Sequence, residues 1–313
     1  MWLLKSISFY FILHSYRASI IPVQDYPIPH YLIPILPFSK TLSHSVTKYC
    51  IKILWTMINA LPDLVLALIF GFLPDAERIC TLTLVCKKWY GIVHSSALWR
   101  KVDFDFQRKI TSNVLEKYVY PRTTKIFLSE CHYLDWEDLC RILSRCGKLE
   151  VLILAWIGYS RKQTVPTAFT EVLNIGKLRF LQLNHCKVTS SLFGKLPLKC
   201  PVLEILLLDN CQEISQESYK ISPFKQHKHL QLLCVAYNQE ALFPHCVIEM
   251  LKYTNSKIVL DIRGHHFTQE DFNNITREHC DALERIKDVE DYQHMVRFPW
   301  HFCWNNSYVN ILL

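Results

Sequence analysis

An α/β chain is the fold this sequence predicts: a small N-terminal trio of helices, followed by a solenoid with parallel strands inside and helices outside. Three observations carry the expectation. An apolar spacing, L-x-x-L-x-L, recurs along the second half of the chain. A stretch of under fifty residues at 58–104 breaks into short helical patterns punctuated by prolines. Several cysteines fall at fixed offsets from the recurring leucines instead of clustering.

Composition sets the frame. With 313 residues, half of them apolar and a fifth charged, the chain can bury one sizeable core or two smaller ones. The net charge of +7 is weak evidence for nucleic acid, because residues 1–56 hold five Lys/Arg against one Asp and only +3 is left for the rest. Thirteen cysteines, an odd and modest share of a chain this long, fit a reduced setting, cytoplasmic and/or nuclear, better than a disulfide framework.

Residues 1–56 are expected to be an unassigned leader outside the fold. "MWLLKSISFYFIL" has signal-peptide length but carries Lys5 within its apolar part and lacks a small-x-small cleavage site. It is also shorter than the ~20 residues a membrane span needs. Five prolines between Pro22 and Pro37 forbid a regular helix, and Met57, just before the first well-patterned segment, is a sensible natural start.

The trio follows, at 57–106. Pro62 suits a first helical position with Asp63 behind it, and Leu66, Ile69, Phe70 and Leu73 recur on one face until Pro74 closes the helix. Asp75 opens a second helix carrying Ile79, Leu82, Val85 and Cys86, and a third carries Trp89 and Ile92 ahead of Leu98 and Trp99. So small a unit buries little alone, so a partner is expected.

The strings "LPD" at 61–63, "IFGFLP" at 69–74, "LVCKKW" at 84–89 and "LWRKVDF" at 98–104 together resemble an F-box. One departure is Leu64, where the family commonly has an acidic residue. The resemblance implies docking on a Skp-type adaptor and, through it, on cullin and RING subunits. The matching positions are Leu61, Pro62, Leu66, Ile69, Leu73, Pro74, Cys86 and Trp89.

Beyond the trio, "LEVLIL" at 149–154, "LRFLQL" at 178–183, "LEILLL" at 203–208 and "LQLLCV" at 230–235 share one spacing, and weaker copies end at Phe104, Leu128 and Ile262. The intervals of 24 to 29 residues fit leucine-rich repeats over 107–290, about six or seven of them, each a short strand followed by a covering helix such as 134–143. Cys131, Cys186 and Cys211 each fall three residues after a strand's last apolar position, while Cys146 and Cys200 fall three before the next repeat's first leucine. Those slots take small side chains that turn inward, so the thiols are expected to pack and to donate weakly to neighbouring carbonyls. Such strings also resemble the cysteine-containing repeats that follow F-boxes in one branch of that family.

An enzyme is not expected. There is no Gly-rich phosphate loop, no G-x-S-x-G, no C-x-x-C and no H-E-x-x-H, so no catalytic residue, metal or cofactor is assigned. His185 beside Cys186, and His265 beside His266, fall in repeat positions that explain them structurally. The Asn-x-Ser/Thr acceptors at 274–276 and 305–307 matter only to an exported chain.

The register also names a binding face. Strand residues between and after the leucines point away from the core in three columns, the last being Glu130, Trp156, His185, Asn210, Tyr237 and Gly264. Phe127, Ile153 and Leu207 are apolar where solvent is expected, Trp156 and Tyr237 are aromatic anchors, and Asp209, Asp261 and Arg263 carry charge. These eight are the expected substrate contacts. The aromatic tail at 291–313 could equally fold back over this face, and both readings stay open. The resulting expectation is a non-catalytic substrate-recognition subunit of a cullin-RING ubiquitin ligase. The alternative is a leucine-rich-repeat adaptor or inhibitor that acts without ubiquitin transfer.

Overall fold

The computed structural model describes residues 56–287, except 159–161, 174–175, 216–217, 219–226, 228, 239–241, 254–258, 266 and 279–285. The leader up to residue 55, His266 and the tail at 291–313 therefore lie outside the described residues. Contacts divide the chain into two compact units after Leu98.

In the first unit, Pro62 has an extended ψ of 149° and stands just ahead of helix α1 (Asp63–Phe70), one position earlier than expected. Its carbonyl accepts the amides of Val65 and Leu66 at 3.0 Å each, so the proline still starts the helix. Leu66, Ala67 and Phe70 turn into the core, and the chain leaves through Gly71. Helix α2 (Asp75–Cys80) is shorter than expected. The run Thr81–Val85 alternates β-branched residues, which lose side-chain freedom in a helix, and Leu82–Leu84 form a separate 3-10 turn. Helix α3 (Lys87–Val93) then buries Trp89, Ile92 and Val93, with the Trp89 ring tilted against Phe70 at 4.8 Å. Asp75 and Arg78 form a buried ion pair. Arg78 also donates to the carbonyls of Leu73 (3.0 Å) and Leu98 (3.2 Å), tying the start of α2 to the end of the trio.

The second unit is built on a parallel sheet whose eight described strands lie in sequence order. They are β1 (Lys101–Asp103), β2 (Lys125–Ser129), β3 (Val151–Ala155), β4 (Phe180–Gln182), β5 (Ile205–Leu207), β6 (Leu232–Cys234), β7 (Val259–Asp261) and β8 (Ile286–Lys287). Among the described residues the connecting helices are α4 (Ser112–Tyr118), α5 (Trp136–Leu143), α6 (Ala168–Val172), α7 (Ser190–Lys199), α8 (Pro244–Tyr253) and α9 (Gln269–Glu278). This is the α/β solenoid of leucine-rich repeats that the spacing predicts. The final core positions Phe104, Leu128, Leu154, Leu183, Leu208, Val235 and Ile262 are all fully buried. Trp99 belongs to this unit and packs on Tyr118 at 4.5 Å. Helix starts are capped by side chains: Asp135 accepts the Asp138 amide at 2.9 Å and Thr189 that of Leu192 at 3.2 Å.

The cysteine slots form a ladder between repeats. Cys131 Sγ donates to the Phe104 carbonyl (3.4 Å), Cys186 to Leu154 (3.7 Å) and Cys211 to Leu183 (3.0 Å), in each case the last core residue of the preceding strand. His265 takes the same slot one repeat from the end: Nε2 donates to the Val235 carbonyl at 2.9 Å while Nδ1 accepts the Leu242 amide at 3.1 Å, the neutral Nε2–H tautomer. Asn238 fills the slot between and accepts the Cys211 amide at 2.7 Å. In the second slot, Cys146 and Cys200 point at the carbonyls of Tyr120 and Leu173, both at 3.8 Å. Burial pushes the thiols of Cys131, Cys146, Cys186 and Cys200 up to about 12, far from the thiolate a nucleophile needs.

Candidate functional site

Two surfaces hold the residues expected to bind, one on each unit. On the trio, Pro62 and Pro74 are exposed, and Leu61, Ile69, Leu73 and Cys86 are half-buried. Leu66 and Trp89 differ from expectation because both are sealed in the core. Trp89 Nε1 donates to Asn59 Oδ1 at 2.9 Å, and Lys88 Nζ reaches the carbonyls of Asn59 and Leu61 at 2.8 Å each. Trp89 and Lys88 therefore position the segment ahead of α1, while the sealed Leu66 and Trp89 offer a partner no surface.

The apolar surface lies elsewhere. Leu64 and Leu68, four residues apart on α1, are 70% and 64% exposed, Phe72 just beyond is 67% exposed and Leu84 74%. A helix of the composition "DLVLALIF" is apolar all round, so once one side packs in the trio's own core the other is left facing out. That composition is the signal the face-by-face reading missed.

On the sheet, successive strand residues alternate between the helix side and a face that no described helix covers, the helix-free face. Phe127 and Ile153, expected there as contact points, are only 5% and 4% exposed. They join Val151, Phe180 and Ile205 in one apolar cluster, with Leu207 and Leu232 packed against it. Strands ~4.8 Å apart bring these side chains into lateral contact. They form a floor, not protruding anchors.

A ledge runs along the strands' C-terminal ends. Phe106, Glu130, Trp156, His185, Asn210, Tyr237 and Gly264, one per repeat, all have positive φ, from 50° to 80°. A non-glycine residue in this conformation costs ~1–2 kcal/mol. Here each is fixed by its own amide: Phe106, Glu130, Trp156, His185, Asn210 and Tyr237 donate in turn to the carbonyls of Ser129, Ala155, Asn184, Asp209, Ala236 and Arg263, at 2.8–3.1 Å. The turn swings each side chain onto a common edge, where neighbours touch. The Trp156 and His185 rings stack at 3.8 Å, 12° from parallel, and Asn210 Nδ2 donates to His185 Nδ1 at 3.0 Å. Burial pushes the His185 imidazole down to about 4, which keeps it the neutral acceptor. Tyr237, 53% exposed, lies across Gly264, where an added Cβ would come within 2.2 Å of its ring.

Charge concentrates near the later repeats. Arg263 is bidentate to Asp261, with Nε to Oδ1 at 2.8 Å and Nη2 to Oδ2 at 2.7 Å, and its guanidinium lies 6.0 Å from the Tyr237 ring centre. Cys234 Sγ donates to Asp261 Oδ2 at 3.5 Å. Asp209 Oδ1 is buried and accepts no hydrogen bond. Burial pushes that carboxyl up to about 6; Arg263 pulls it the other way and Asp261 adds to the rise. The structure thus brings Asp209, Tyr237, Asp261 and Arg263 together on one face, with Trp156 and Leu207 half-buried beside them.

Comparison with known proteins fits this division. The F-box-like family model matches residues 58–105. F-box/LRR-repeat protein 12 of Mus musculus is 27% identical over 169 residues, covering 50% of this chain and 49% of that protein. F-box/LRR-repeat protein 21 of Ovis aries is 22% identical over 249 residues, covering 72% and 56%. The chain spans about half the length of the curated relatives it matches. A solved structure, the crystal structure of the Rad7 and Elc1 complex in yeast, is 12% identical and covers 75% of this chain and 89% of its own, at a TM-score of 0.24 that supports no argument. No helix among the described residues is long and apolar enough to cross a membrane.

Proposed function

We propose that this chain, an F-box protein with leucine-rich repeats, is the substrate-recognition subunit of an SCF-type cullin-RING ubiquitin ligase. The trio docks on a Skp-type adaptor, and the helix-free face of the sheet holds a protein substrate. The observation that carries the reading is the exposed apolar face of Leu64, Leu68 and Phe72 on an F-box-like unit, joined in one chain to a repeat sheet edged with aromatic residues. Three large apolar side chains in water are unfavourable by roughly 1.5–3 kcal/mol each relative to a covered state, which an adaptor would supply. In this reading the exposed or half-buried Leu61, Pro62, Ile69, Leu73, Pro74 and Cys86 add to that surface, and the buried Leu66 and Trp89 hold the trio in shape.

In this reading the chain binds and does not catalyse. Tethering raises the effective concentration of a substrate lysine near a charged ubiquitin carrier held elsewhere in the assembly. Assembly of that kind places the protein in the cytoplasm or nucleus. The test is co-purification of the full chain from cells. Stoichiometric Skp-type adaptor and cullin are expected with the wild type, and both should vanish when Leu64→Asp and Leu68→Asp are combined, with the circular dichroism of the repeats unchanged. Adaptor absent from the wild type overturns the reading. Adaptor retained by the double variant overturns the docking face.

A further inference from the structure

Among the described residues at the ends of β5 and β7, charge does not balance. Two carboxylates, Asp209 and Asp261, share one guanidinium, and Arg263 spends both arms of its fork on Asp261. Asp209 Oδ1 is left buried and without a hydrogen bond, and no ion pair to Asp209 exists among the described residues. A carboxylate partly removed from water with one oxygen unpaired is costly even with the Asn210 amide and Arg263 acting on it, and its raised pKa, about 6, expresses the same cost. The group that relieves it most is a cation with N–H donors. Its surroundings define what must accompany that cation. Asp209 follows β5, so on the ledge the Trp156–His185 stack lies towards β3 and β4 and the exposed Tyr237 ring towards β6. The floor below is the apolar cluster with Leu207.

We propose that this face takes an extended protein segment carrying a lysine or arginine, whose cation pairs with Asp209 while flanking apolar side chains pack on Tyr237 on one side and the Trp156–His185 stack on the other. The inference rests on the reading of this face as the substrate surface and names the class of segment it selects. Complementary charge fixes register and rejects acidic competitors, while the aromatic ledge supplies contact area.

The test uses the full chain and two synthetic peptide pools that differ only in one central residue, lysine in one and glutamate in the other, flanked by randomised aliphatic and aromatic positions. The wild type should retain the lysine pool about tenfold or more over the glutamate pool, as expected for a charge-assisted pair. Asp209→Asn, close in shape and matching Asn184 in the same column of the preceding repeat, should melt like the wild type and lose the preference. Asp209→Lys should reverse it. Should Asp209→Asn fail to fold, the reversal in Asp209→Lys and the loss of the wild-type preference in high salt decide instead. Equal retention of the pools, retention of neither, or a preference that survives Asp209→Asn overturns the proposal. Adaptor co-purification is measured separately on the same proteins. Peptide preference without adaptor would sink the ligase reading alone, and adaptor without preference would sink this one alone.

Discussion

Cys211 gives the sharpest test of how the repeats are held together. Its side chain is 1% exposed, its Sγ donates to the Leu183 carbonyl at 3.0 Å, and its amide is taken by Asn238 from the next repeat. Alanine removes one buried heavy atom, about 1 kcal/mol in transfer and cavity terms, and a weak hydrogen bond of roughly 0.5–1 kcal/mol. A loss of about 1.5–2 kcal/mol is expected. Asparagine should behave differently, because position 238 shows what an amide does in this slot. Its Oδ1 can take the amide of the preceding slot residue, Cys186, and its Nδ2 can donate to the Leu183 carbonyl that the thiol now serves. The expected cost is under about 1 kcal/mol. A chain of two units need not unfold in one step, so the measurement is hydrogen exchange of the β4 and β5 amides in a urea series, with the first unit as internal control. Alanine without effect, or asparagine as damaging as alanine, would refute the ladder as a stabilising device.

Two further outcomes follow from buried charge. Burial, with Asp103 adding to it and hydrogen bonds from Ser129 opposing, pushes the Asp105 carboxyl up to about 7. The folded state therefore holds a proton that the unfolded chain has lost by pH ~5, and stability should fall as pH rises from ~4 to ~7, then level off, by on the order of 2–4 kcal/mol. Asp105→Asn should flatten that slope in melts across this range, and an unchanged slope would refute the assignment. At the trio, Arg78→Ala removes the guanidinium that pairs with buried Asp75 and frees the Leu73 and Leu98 carbonyls, so the first unit should lose about 3–5 kcal/mol. A melt showing the first unit intact would mean that water enters to replace the guanidinium.

The sequence announced strand register better than surface. Each repeat places two core positions two residues apart, and a one-residue slip would turn both to the wrong face, so leucine spacing alone locates the buried rows. β8 escaped because its sequence motif is half formed: Leu283 and Ile286 keep the spacing, but the motif's next position holds Asp288. Val151, Phe180 and Ile205 escaped because strand ends are set by hydrogen bonding, which starts each strand before the first outward residue that leucine spacing suggests. The ledge was counted as a column, but its left-handed backbone was not legible. Tryptophan and tyrosine carry no local preference for that conformation, and the amide hydrogen bond to the next repeat selects it. On α1 the spacing puts Leu66, Ile69, Phe70 and Leu73 on one face, but in an unbroken apolar run it does not tell whether that face is the packed side or the exposed one.

The ledge also sets a rule for any chain laid across it. Its side chains recur once per strand, about every 4.8 Å, whereas an extended polypeptide presents side chains to one side about every 6.7 Å. Two rulers of unlike pitch coincide only at intervals, here close to four strands against three pairs of peptide residues, or roughly 20 Å. A sheet of this width therefore meets an extended chain in step at no more than about two places. Between them a peptide side chain falls between two ledge residues and is shared by both, as one would be by Trp156 and His185.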